Sequence, residues 1–207
     1  MASDDWYRQT VWTQEGAAIF EEKLAKSRTQ KAQYLTIQAN LIWPNHPEVA
    51  LELADRAQAE SEAGFIDPRI EMARAFANLQ LGNVGAVLDH YRAAMERQAQ
   101  QGGIFTSAAL DFCFVAAMYE VEDAYGEALA ILEKFSGSPL VNTNAQALGA
   151  KALILAAIGG ADDQAREYAR KALDQFVDFG QPLTHEMKIG GASALDFHQR
   201  LEAIAGA

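Results

Sequence analysis

Four histidines, one cysteine and a few paired carboxylates are the residues of this sequence most able to do chemistry. The histidines are His46, His90, His185 and His198, and no two stand four residues apart. A zinc site with His and Cys ligands shows paired ligands at short spacing, so no metal ion is expected. His46, in Asn45-His46-Pro47, reads as a helix-start residue, and His90, before Tyr91, as a partly buried side chain of a packed helix. His185-Glu186 places an imidazole beside a carboxylate. Such a pair does acid–base work only where a pocket supplies the other groups, and the sequence identifies none. Cys113 lies in Asp111-Phe112-Cys113-Phe114. A reactive thiolate wants cations or a helix N-terminus, so this one reads as an inert packed thiol. Gly102-Gly103 and Gly190-Gly191 lack the Lys-Ser/Thr and the strand of a phosphate cradle. The expectation is a protein without catalytic residues or cofactor.

The acids group differently. Glu120, Glu122, Asp123 and Glu127 crowd one turn, and Asp162-Asp163 start a further helix. Acids at a helix start offset the positive end of its dipole, and the alternating ligands of a calcium loop are missing. Lys23, Lys26, Arg28 and Lys31 are balanced by Glu21 and Glu22 and read as a solvated face. Over 207 residues, 17 Lys+Arg stand against 28 Asp+Glu, a net charge of −11. That balance disfavours nucleic acid, whose phosphates are gripped by clustered cations. Half of the chain is apolar, which excludes disorder. A single cysteine excludes a disulfide scaffold. No apolar run is long enough to span a membrane, and the acidic Met1-Ala2-Ser3-Asp4-Asp5 is no secretory signal. A cytoplasmic protein is expected.

The elements that would position these residues are helical throughout. Ala, Leu, Glu, Gln and Arg dominate the long stretches, and no polar–apolar alternation is long enough for a strand. Pro47 and Asp67-Pro68 mark helix starts, because proline suits the first turn and aspartate caps it. Leu81-Gly82-Asn83, Gly102-Gly103, Ser136-Gly137-Ser138-Pro139, Gly159-Gly160 and Phe179-Gly180-Gln181-Pro182 mark ends. The pattern predicts helices at 14–27, 29–43, 47–62, 68–81, 84–100, 104–121, 124–136, 142–158, 161–178 and 184–203. Connections this short make neighbours antiparallel hairpins.

One pattern recurs in the second helix of each hairpin, a compact apolar residue followed by others four and seven positions on. It is Ala50/Ala54/Ala57, Val87/Tyr91/Ala94, Ala128/Leu132/Phe135 and Ala165/Ala169/Ala172, at spacings of 37, 41 and 37 residues. Ala75 and Ala116 each precede the next pattern by twelve. The chain thereby resembles the tetratricopeptide repeat, a helix-turn-helix of about 34 residues, over 29–180 as four degenerate units. Its spacings are longer than the family's, and most of the family's Trp and Pro landmarks are missing.

The resemblance implies an all-α fold of about ten helices, a right-handed α-solenoid of antiparallel hairpins. Residues 1–28 would be an N-terminal cap, 29–180 the hairpins and 181–207 a C-terminal capping helix, as a single domain. Trp6, Tyr7 and Trp12 precede the first helix. They either fold back over the end of the stack or stand out as an aromatic anchor for a partner. By the family's register, the concave groove would be lined by Leu35, Ala39 and Ile42, then Arg69, Met72, Phe76 and Gln80, then Leu110, Cys113, Ala117 and Glu120, then Ala147, Ala150, Ile154 and Ala157. An apolar stripe of that size is not left in water. It would take a peptide or helix of a partner protein, with the acidic rim selecting basic partners; the C-terminal helix or a second copy are the other occupants. The functional expectation is a non-enzymatic interaction module. A structural homo-oligomer, here a homodimer, is the alternative, followed by a small-molecule binder or enzyme using an inter-helix pocket.

Overall fold

The computed structural model describes residues 5–61, 67–135, 137, 141–159, 162–176, 187–189 and 191–206. Among them are ten α-helices, one 3-10 turn and one two-stranded ladder. The chain divides into two compact units, residues 1–108 and 109–207, which are described in turn.

The first unit contains α1 (Gln14–Lys26), α2 (Lys31–Ile42), α3 (Pro47–Ala59), α4 (Pro68–Gln80) and α5 (Val84–Gln101). The Thr13 side chain caps α1 by accepting from the Gly16 N–H, and Asp67 caps α4 by accepting from the Arg69 N–H. Pro47 and Pro68 occupy the first turns of α3 and α4, where a missing N–H leaves no bond unmade. Gly82, at φ 78°, ends α4, with the Asn83 N–H donating back to the Asn78 carbonyl. α2 packs on α3, α3 on α4 and α4 on α5, and α2 also touches α4. The core holds Leu35, Ile42, Leu53 and Ile70 together with Ala50, Ala54, Ala57, Ala73 and Ala77.

The second unit contains most of α6 (Ala108–Met118), then η1 (Glu122–Ala124), α7 (Tyr125–Lys134), α8 (Val141–Ile158), α9 (Asp162–Asp174) and α10 (Ala194–Gly206). α7 packs on α8, α8 on α9, and α10 on both α8 and α9. Its core is aromatic as well as small: Phe197 meets Phe114 edge-on at 4.9 Å and Phe176 at 5.7 Å, among Ala145, Ala152, Ala169 and Ala172.

Two local departures from the predicted elements have clear causes. The helix predicted from 104 starts at 108, because the Thr106 N–H and hydroxyl both bond the Gln98 side chain and its oxygen accepts from the Ala108 N–H. Over the described part of the stretch predicted as helix from 184, α10 begins at Ala194. Before it, β1 (Lys188–Ile189) pairs antiparallel with β2 (Ala192–Ser193), and Gly191 turns between them at φ 88°. His185 and the predicted start at 184 lie outside the described residues. The repeated positions are buried in α3, α5 and α9, and in α7 at Ala128 and Leu132, with Phe135 half-buried. Among the described residues no helix is long and apolar enough to cross a membrane.

Gly149 shows how closely helices approach in the second unit. A Cβ there would come within 2.2 Å of Phe197 Cζ and 3.2 Å of Leu201 Cδ1. Alanine favours the helix by about 1 kcal/mol over glycine, but overpacking a core costs about 1–3 kcal/mol, so the clash dominates. Gly149→Ala is therefore expected to lower the urea midpoint, and an unchanged midpoint would show that α10 can back away.

Candidate functional site

On α4 the four predicted groove residues have four different environments. Met72 is core, only 5 % exposed. Arg69 turns back on its own helix start: Nε donates to both Asp67 oxygens at 2.9 and 3.0 Å, and Nη2 to Oδ2 at 2.6 Å. The Arg69 carbonyl accepts from Asn40 Nδ2 at 3.0 Å, tying α2 to α4. A hollow of roughly 320 Å3 beside this pair is lined by Arg69 and Asp67 together with Thr29, Gln33, Thr36 and Glu60. Phe76 is half-buried, stacked on Trp43 at 5.1 Å and edge-on to Tyr91 at 6.4 Å. Gln80, one turn further, is exposed, as is Leu81. Met72 thus offers a partner no surface. The physical reason is coverage: α2, α3 and α5 all pack on α4, so a residue facing away from one neighbour faces another.

The other predicted lining belongs to the second unit. Leu110 is half-buried, and Ile154 is fully buried, so Ile154 offers no surface either. Cys113 is buried and its thiol donates to the Ala128 carbonyl. Burial pushes its pKa up to about 12, so it is no thiolate at neutral pH. Glu120 is exposed and sits at φ 56°, in the left-handed position that ends α6. The Val121 N–H donates to the Ala116 carbonyl, as the Asn83 N–H does to Asn78 at the end of α4. Arg200 Nη1 of α10 donates to the Glu120 carboxylate at 3.1 Å and to the Met118 carbonyl at 3.2 Å. Beside it opens a cleft of roughly 750 Å3 lined by Tyr119, Lys188, Ser193, Asp196 and Arg200, among others. Its polar lining is of mixed sign.

The aromatics ahead of α1 pack on the protein itself. Trp6 lies 5.4 Å from Phe20 and 4.8 Å from Tyr34, Tyr7 lies 4.6 Å from Tyr34, and Trp12 lies 5.3 Å from Phe20. Each is half-buried.

A polar centre that the sequence reading missed lies on the other side of α4. Glu71 is 3 % exposed. Its Oε1 is 2.7 Å from Arg74 Nη1 and 2.6 Å from Arg97 Nη2, and its Oε2 is 2.6 Å from His90 Nδ1. A carboxylate only accepts, so His90 Nδ1 carries a proton. Arg74 also donates to Asp55 of α3 from Nε and Nη2. Burial by itself would raise the Glu71 pKa, but the His90 hydrogen bond and the charges of Arg74, Arg97 and His90 outweigh it and hold it below the ordinary 4.5. Burial pulls Arg97 below its ordinary value, and its Nη1 is buried without a hydrogen-bond partner among the described residues. The available signal was spacing: Glu71 and Arg74 are three apart, and His90 and Arg97 share a face of α5 two turns apart.

Among the described residues no three His, Cys, Asp or Glu side chains stand together to hold a metal ion. No family model matches the chain, and neither a curated protein nor a solved structure matches it significantly.

Because the Glu71 pKa is depressed on folding, its stabilisation is fully present above its unfolded value and is lost as pH falls through the folded one. Glu71→Gln leaves two arginines facing an uncharged amide and should cost about 3–5 kcal/mol at neutral pH. The gap between wild type and variant should narrow as urea midpoints are followed downward from pH 5. A gap that stays constant down to strongly acid pH would remove Glu71 as the titrating group.

Proposed function

We propose that this chain is a protein-interaction module, a right-handed solenoid of tetratricopeptide-like hairpins that takes a peptide or helix of a partner protein against its first-helix face. The carrying observation is the Trp43–Phe76 stack, two half-buried rings on α2's end and α4, flanked by exposed Gln80 and Leu81. Aromatic residues that remain reachable while fixed by packing are the kind of group that dominates binding energy. The repeated helix contacts support the reading: α2 touches α4, and α8 touches α10, across one intervening helix in each unit. So does burial of the small positions at 50/54/57 and 165/169/172, which sets close helix spacing.

In this reading the protein is cytoplasmic, uses no cofactor, binds no nucleic acid and enters no membrane. Arg69 is held by Asp67 and contributes a helix start rather than a grip on a partner. With the net charge at −11, the surface field favours basic partners. Leu110 and Glu120 remain contact candidates on the second unit.

The test is capture from the source lysate by the wild-type chain and by Phe76→Glu, with mass spectrometry of what is retained. Loss of a central aromatic costs about 2 kcal/mol or more, roughly thirty-fold in Kd. Phe76→Glu is expected to keep its helical dichroism and to lose the stoichiometric partner. Equal capture would remove this face from consideration. Light scattering over a range of concentrations separates the homodimer alternative, which requires association that Phe76→Glu abolishes.

A further inference from the structure

Residues 5–12 carry no helix or strand, yet they are held in the way a bound peptide is held. Gln38 of α2 is fully buried and uses both ends of its amide on the main chain of Gln9. The Gln9 N–H donates to Gln38 Oε1 at 3.0 Å, and Gln38 Nε2 donates to the Gln9 carbonyl at 2.7 Å. That is the pairing a neighbouring strand would make, here supplied by a side chain. Further on, the Trp12 N–H donates to His46 Nε2 at 3.3 Å. Main-chain bonds hold the segment while Trp6 and Trp12 lie against Phe20 and Tyr7 against Tyr34. Extended peptides are recognised by this division of labour, main chain for affinity and side-chain pockets for specificity.

A second observation is independent of those bonds. Gly16 lies in the first turn of α1, outside the left-handed region, where alanine would suit the helix better. A Cβ there would come within 2.3 Å of Gln9 Oε1. The Gln9 amide fills that space and donates from Nε2 to the Gly16 and Trp6 carbonyls at 3.1 and 2.9 Å. Gly16 thereby leaves room for the Gln9 side chain at the start of α1. Arg8 stays exposed, with its guanidinium 5.3 Å from the centre of the Tyr7 ring and 3.8 Å from Asp5.

The segment turns at Asp5–Arg8, where the Arg8 N–H donates to the Asp5 carbonyl. We propose that residues 5–12 are an intramolecular ligand, seated in a peptide site built from Phe20, Tyr34, Gln38 and His46, and that this site accepts a non-helical, aromatic-bearing peptide of another protein when the segment lifts. Gln38 reads main chain and is indifferent to sequence, so the aromatic side chains on either side select the peptide. Lifting the segment uncovers Phe20 as well as Gln38, so the open state is a minor one that a competing peptide must stabilise by covering the same core edge. The proposal concerns a different face from Phe76 and stands whether or not that face binds.

The probe is a fluorescein-labelled peptide of residues 5–12, titrated by anisotropy into the full-length chain. Wild type should bind weakly, because its own segment competes at an effective concentration of roughly millimolar. Trp6→Ala and, separately, Gln9→Pro loosen the resident segment without altering the receiving side chains, and each should bind the probe at least about ten-fold tighter. Adding Gln38→Leu to either should return binding to the wild-type level. Equal binding by wild type and both variants, or tight binding that survives Gln38→Leu, overturns the proposal. A variant that loses its helical dichroism overturns it as well, since residues 5–12 would then be an obligatory part of the fold.

Discussion

Helices in each unit meet through side chains of one carbon. Ala50, Ala54, Ala57, Ala73 and Ala77 share a core in the first unit, and Ala145, Ala152, Ala169 and Ala172 share one in the second. Close approach gives dense dispersion contact, but an alanine removes little apolar area from water. At about 25 cal/mol per Å2, such seams are thin compared with leucine or phenylalanine cores. Larger groups must therefore close their edges. The rings around Phe20 do this for the first unit, and the rings around Phe197 do it for the second. Gly149 marks the tightest described contact of this kind, where the Phe197 ring occupies the place of a side chain.

The same closeness explains a charged centre inside the first unit. α4 is flanked by three helices, so Glu71 has no route to bulk water and must find its partners in the protein. It finds two arginines and a histidine within 2.7 Å. Buried ion pairs roughly break even against their desolvation, and the outer Arg74–Asp55 pair, with Asp55 72 % exposed, adds little. What the network fixes is register. Glu71 bridges α4 to α5, and Arg74 carries the connection on to α3. A sliding of α5 by one turn would leave His90 and Arg97 without their shared carboxylate.

Features written in consecutive residues were readable from the chain. Pro47, Asp67-Pro68 and Leu81-Gly82-Asn83 located helix ends, because each acts through its own backbone geometry. The 50/54/57 and 165/169/172 triplets identified buried stripes for the same reason. What failed was the assignment of open faces. A periodic pattern shows that a helix has an apolar side, not how many neighbours cover it, and so Met72 and Ile154 read as groove yet are buried. Of the Glu71 partners only Arg74 is local, three residues on; His90 and Arg97 are 19 and 26 residues away, on another helix, and so the centre was hidden. Glu120 looked like one acid among several. Its left-handed backbone and its tie to Arg200, eighty residues on, follow only from the fold.

Charge and contact have separate parts in any binding by this molecule. Many cations are already engaged at short range: Arg56 by Glu21, Arg69 by Asp67, Arg92 by Asp89, Arg166 by Asp163 and Arg200 by Glu120. The excess of acids therefore dominates the outward field. Such a field steers encounter and discriminates between partners more than it supplies affinity. Affinity must come from surfaces that bury area or pair main chain. The Trp43–Phe76 stack offers the first and Gln38 the second. Neither carries a formal charge, so salt should slow association far more than it shortens the lifetime of a complex at either surface.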